Sequence, residues 1–135
     1  MALSNSQKAT LKHLAAAGDM TAKALVDGVK DMVLSKAVEA ANVIKVTGQM
    51  VDGAGNPMMG VQNVLIQSMP IAGAGTMTDG GAGVVKAGSA SLSMWMQTDA
   101  TGKFQVDVLN VVAEDNLVQV TTDNGDVAQL VLTFA

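Results

Sequence analysis

The chain has 135 residues and a formal net charge of −4, with eight Lys and Arg against twelve Asp and Glu, and no cysteine. Its length suits one domain with an appendage. The acidic balance leaves no basic patch for nucleic acid, and the missing thiols exclude disulfides, cysteine-held metals and thiol catalysis.

Residues 4–17 predict a helix. Ser4 or Ser6 can cap it, because a hydroxyl accepts from a free N–H two or three residues on. Leu11, Leu14 and Ala15 then share one face, and Gly18 is a C-terminal stop. Residues 20–41 predict a second, amphipathic helix, with Leu25, Val29, Met32, Val33, Lys36 and Ala40 recurring at spacings of three and four. Gly28 weakens its continuity by up to ~1 kcal/mol relative to Ala. The apolar stripe of this helix packs either on its own domain or on a partner. Leu11, Leu14, Leu25, Val29, Met32 and Val33 are therefore candidate interaction residues. No run reaches the ~18 apolar residues of a membrane helix. Residues 1–20 carry Lys8, Lys12 and Asp19 and lack the apolar core of a secretory signal.

From Asn42 the period changes from helical spacing to alternation. Val43 to Val51 and Val61 to Met69 predict two strands, with Asp52-Gly-Ala-Gly-Asn-Pro57 as the turn-rich segment between them. Pro70 cannot donate to a ladder. Residues 72–90 are rich in Gly, Ala, Ser and Thr and read chiefly as a loop, with short strands near Thr76–Thr78 and Val84–Lys86 as the alternative. Ser91 to Thr98 alternates, with Leu92, Met94 and Met96 on one face and Trp95 on the other. Asp99-Ala-Thr-Gly102 is a tight turn. Strands follow over Phe104–Val108, Leu117–Thr122 and Val127–Phe134, with Asn124-Gly125 marking the last hairpin. No helix separates these runs. The predicted fold is mainly β: an antiparallel sandwich of about seven strands over residues 43–135, preceded by a helical arm over residues 1–42. The core must come from Val, Leu, Ile and the ten Met, since Trp95, Phe104 and Phe134 are the only aromatics.

Little in the chain points to chemistry. His13, the only histidine, sits beside Lys12 with no carboxylate near it in sequence, and a general base needs a positioned partner. Asp52, Asp79, Asp99, Asp123 and Asp126 fall in turn sequences, where Asp bonds its own backbone. The spacing of a calcium loop is absent. Gly80-Gly-Ala-Gly83 lacks the Lys and helix of a phosphate cradle, and Ser89, Ser91 and Ser93 have no nucleophile-elbow context. Glu114-Asp115 is expected in a solvated connection. No catalytic residue, metal or cofactor is expected. Trp95, on the face opposite the Leu/Met row, is a candidate binding anchor.

The block V-T-G-x-M-V-D-x-x-G-N-P-x-x-G-V from Val46 to Val61, followed by T-D-A-T-G-K-F from Thr98 to Phe104, resembles bacterial immunoglobulin-like domains of the invasin and intimin type. It is also similar to carboxypeptidase-regulatory-like domains. The 37 positions from Val61 to Thr98 suit the former better. The resemblance covers about residues 43–135 and implies an immunoglobulin-like sandwich, with Trp95 in its core as the reading favoured over a binding anchor. A single such domain without an export signal is similar to virion proteins of tailed phages. That implies a structural protein of the virion that decorates or stabilises a capsid, or forms a head fibre, after synthesis in the host cytoplasm. Its implied partners are a capsid or other virion protein and its own copies, a trimer among the forms allowed. The alternative is a cell-surface adhesion or carbohydrate-binding module, and a third is an accessory domain of an enzyme.

Overall fold

A computed structural model describes residues 4–18, 20, 30–72, 75–88 and 91–135. Helix α1 spans Asn5–Ala16. Nine strands follow: β1 Asp31–Lys36, β2 Val43–Val51, β3 Asn63–Pro70, β4 Thr76–Asp79, β5 Val84–Ala87, β6 Ser93–Gln97, β7 Lys103–Leu109, β8 Asp115–Thr122 and β9 Val127–Thr133. They form two sheets, one ordered β1-β2-β7-β4 and the other β5-β6-β3-β8-β9. Every pairing is antiparallel.

Alternation builds the core. Ile44, Val46 and Met50 of β2 and Phe104, Val106 and Val108 of β7 point inward from one sheet. Val64, Ile66, Met94, Met96, Val118, Val120 and Leu132 meet them from the other. Each such side chain contributes roughly 1.5–3 kcal/mol on burial. Met50, Met77, Met94 and Met96 are among the largest fully buried side chains, so flexible thioethers occupy much of the space aromatics would fill. Gly48 and Phe104 lie directly opposite in the β2–β7 ladder. A Cβ at Gly48 would stand 2.1 Å from Phe104 Cε1, so the bare glycine backbone makes room for the aromatic ring.

Three sequence expectations change. The second helix does not extend over residues 31–36, which form β1 and pair with β2 from Asp31↔Val51 to Lys36↔Val46. The run D-M-V-L-S-K satisfies both a three-to-four and a two-residue period. Pairing with β2 decides it by placing Met32 in the core and Val33 outside. The sandwich thus begins at Asp31 rather than at residue 43, and Leu25 and Val29 lie outside the described residues. The Gly-rich segment carries two strands: β4 pairs with β7 and β5 with β6, so its glycines carry the chain from one sheet to the other. The described residues form nine strands rather than about seven. Pro70 closes β3 opposite Asn116, a strand end where a missing donor is tolerated.

Candidate interaction surfaces

One end of the sandwich is built from repeated turns of one design. Asp52 Oδ1 accepts from the backbone N–H groups of Ala54 (2.9 Å) and Asn56 (3.0 Å), and Gly55 N–H donates to the Asp52 carbonyl (3.0 Å). Asp99 repeats the arrangement. Its Oδ1 accepts from Thr101 N–H (2.9 Å) and Lys103 N–H (3.1 Å), and Gly102 N–H donates to its carbonyl (3.0 Å). Thr122 starts the third turn, with Gly125 N–H donating to its carbonyl (3.0 Å) and its own N–H donating to the carbonyl of Asp126 (2.8 Å). The glycines take φ of +83°, +77° and +88°, the left-handed values such turns require. The Thr101 hydroxyl, 2.6 Å from Asp99 Oδ1, is the main cause holding that carboxyl below its ordinary pKa, and the Lys103 N–H adds to it.

The first two turns interlock. Met50 N–H donates to the Gly102 carbonyl (2.8 Å) and Gly60 N–H to that of Ala100 (2.7 Å), while Thr98 Oγ1 accepts from Gln62 N–H (2.8 Å). Of the turn aspartates that the sequence marks, Asp52, Asp79 and Asp99 are engaged in holding the backbone, and Asp123 pairs with Lys30. Among the described residues there is no group of three or more His, Asp or Glu placed to hold a metal. Among the described residues no helix is long and apolar enough to cross a membrane.

Helix α1 sits at this end. Ser4 and Gln7 form a reciprocal capping box. Lys8 Nζ lies 3.2 Å from Asp31 Oδ2, both side chains largely shielded, and its stem passes beside Gly55. No residue of α1 is buried. Leu11 is half-buried and Leu14 is exposed, and Leu11 lines a shallow depression of about 370 Å³ with Ser6, Gln7 and Thr10.

The candidate residues do not form one surface. Leu11 and Leu14 lie on α1, Met32 is in the core at 6% exposure, and Val33 faces outward from β1. Trp95 stands on the opposite sheet. It is not in the core: its 51% exposure follows from the strand's parity, since Met94 and Met96 on either side point inward. The solvated reading of Glu114 also changes, because its carboxylate accepts from Asn110 Nδ2 and from Ala72 N–H, both at 2.8 Å, and ties two loops together.

Sequence reasoning missed the surface around Trp95. Ladder register aligns Trp95 with Leu65, Leu65 with Thr121, and Thr121 with Val127. The next row runs Ser93, Gln67, Gln119, Gln129, and the one after it Met69, Leu117, Val131. Alternation in each strand signals an outward face, but the strand order that assembles these rows is non-local.

No protein-family model matches the chain, and no curated protein matches it. Among solved structures, a β-glucuronidase of Parabacteroides merdae superposes with TM-score 0.56 at 16% identity, over 77% of this chain and 12% of the glucuronidase. The Yersinia pseudotuberculosis adhesin InvE superposes with TM-score 0.52 at 16% identity, over 78% of this chain and 32% of the adhesin. The chain spans only a small part of either protein, and such low identities speak to fold alone. Together with the sheet order, they identify a mainly β, immunoglobulin-like sandwich of two antiparallel sheets, preceded among the described residues by the short helix α1.

Proposed function

We propose that the chain is a non-enzymatic structural module: a subunit of a tailed-phage virion that decorates or stabilises the capsid, or forms a head fibre, and projects its immunoglobulin-like sandwich outward. The observation that carries this reading is the state of α1. It is pinned to the turn-rich end through Lys8 and Asp31 yet buries none of its own residues, which leaves Leu11 and Leu14 for another protein. The resemblance of the Asp52 and Asp99 turn blocks to invasin-type immunoglobulin-like domains supports the projecting sandwich. So does the use of the turn aspartates as backbone acceptors, which gives them a structural role.

Replacing Leu11 and Leu14 together with Asp tests the attachment role. The sandwich should keep its thermal midpoint to within a few degrees, because neither residue is in the core and substitutions outside it typically change stability by about ±0.5 kcal/mol. Binding to particles that lack the protein should fall at least about tenfold, since an apolar contact becomes a buried charge. Undiminished binding would remove α1 from the interface. A second reading, an adhesion or carbohydrate-binding module, is favoured by Trp95, a large aromatic exposed on a sheet face. A glycan screen without binding would count against it.

A further inference from the structure

The two sheets differ in the charge they show to solvent. The outer face of β2 and β7 carries the Lys45–Asp107 ion pair at 3.0 Å and Lys103. The outer face of the five-stranded sheet is different. In its three central rows, Trp95-Leu65-Thr121-Val127, Ser93-Gln67-Gln119-Gln129 and Met69-Leu117-Val131, there is no charged side chain among the described residues. Charges lie at its perimeter: Lys86 on β5, Asp115 at the start of β8, and the Lys30–Asp123 pair at the β8–β9 hairpin. A centre depleted of charge and holding an aromatic, inside a charged rim, is the composition of a protein interface core.

We infer that this face binds a second copy of the chain, sheet against sheet, about a two-fold axis. Two observations select a copy over another occupant. The chain is acidic overall, at −4, so two copies repel and meet at least cost through surface that brings no like charges into contact, and the central rows of this sheet face are neutral. The central row is self-complementary: the amides of Gln67, Gln119 and Gln129 each hold donors and acceptors. Gln129 Nε2 already donates to Gln119 Oε1 at 3.0 Å, and the remaining groups can pair with their equivalents across a two-fold axis. The area is adequate. Its five strands, four to eight residues long and spaced ~4.8 Å apart at ~3.3 Å per residue, present about 500 Å² of plane per copy. Two copies thus cover about 1,000 Å² before side-chain relief is added, the lower bound of a specific interface. This pairing stands independently of the role of α1.

Trp95 is the only tryptophan, so its emission reports on this face alone. The test is sedimentation of the full chain from about 1 to 300 μM, with tryptophan emission followed over the same range. A concentration-dependent dimer is expected, with emission shifting to shorter wavelength and acrylamide access to Trp95 falling as it forms. Gln67→Lys, which brings like charges together at the centre, should weaken the dimer at least about a hundredfold, because juxtaposed like charges are strongly unfavourable at an interface. Gln129→Lys should act in the same direction from the edge strand, and covers the case in which the first variant misfolds. Thr78→Lys, on exposed β4 of the other sheet, should leave the dimer unchanged. A monomer at every concentration would overturn the inference. So would a dimer indifferent to Gln67→Lys and Gln129→Lys, or a Trp95 shift that appears only when a polysaccharide is added to monomer.

Discussion

Phe104→Ala should destabilise the sandwich by about 3–5 kcal/mol, the range for removing a fully buried aromatic. Phe104 is the largest of the fully buried side chains and lies near the start of β7, in the core with Met32 and opposite Gly48. The informative experiment pairs it with Gly48→Ala. In the native background the new methyl would meet Phe104 Cε1 at 2.1 Å and Met32 Sδ at 2.9 Å, so Gly48→Ala alone should cost about 1–3 kcal/mol through overpacking. In the Phe104→Ala background the methyl enters the space the ring vacated, and the same substitution should cost nothing or restore some stability. Denaturant midpoints of the four proteins should therefore show a coupling of roughly 1–3 kcal/mol. Additive effects would mean that the glycine does not exist to seat the ring.

The second large effect is expected at Gly102. Its φ of +77° costs an alanine about 1–2 kcal/mol, and its Cβ would come within 2.2 Å of the Met58 carbonyl oxygen. That carbonyl cannot move freely, because Met58 N–H is bonded to the Met50 carbonyl and Gly60 N–H to that of Ala100. Gly102→Ala should lose about 3 kcal/mol or more, the sum of the backbone and overpacking terms. Gly125 is the control: it has the same turn geometry at φ +88° with nothing within 4 Å of a Cβ. Gly125→Ala should lose only the backbone part. Equal losses at the two sites would show that the close approach of the Met58 carbonyl does not constrain position 102.

These turns were the most legible part of the chain. Asp52, Gly55, Asp99, Gly102, Asn124 and Gly125 are each demanded by local geometry, so a local pattern reveals them. The alternation of β2, β3, β6 and β7 was legible for the same reason. Strand β1 was not, because six residues satisfy both periods and only the distant β2 selects the strand. Strands β4 and β5 were ambiguous because glycine-rich segments have little intrinsic preference, and β7 and β6 supply the order. Trp95 is instructive in a different way. Its outward position was written in the parity of Met94 and Met96, and the core expectation came from other immunoglobulin-like folds. The neutral sheet face could not be read from any one strand, since it depends on the order β6-β3-β8-β9 that brings Trp95, Gln67, Gln119 and Gln129 side by side.

The structural-subunit role is tested most directly by counting. Virions from a culture that produces this chain should be purified through a density gradient, and its copies per particle measured by quantitative mass spectrometry against the major capsid protein. A decorating or stabilising subunit should be present in tens to hundreds of copies, in a fixed ratio to the capsid protein across preparations. A chain recovered only in the particle-free fraction would contradict the role proposed here.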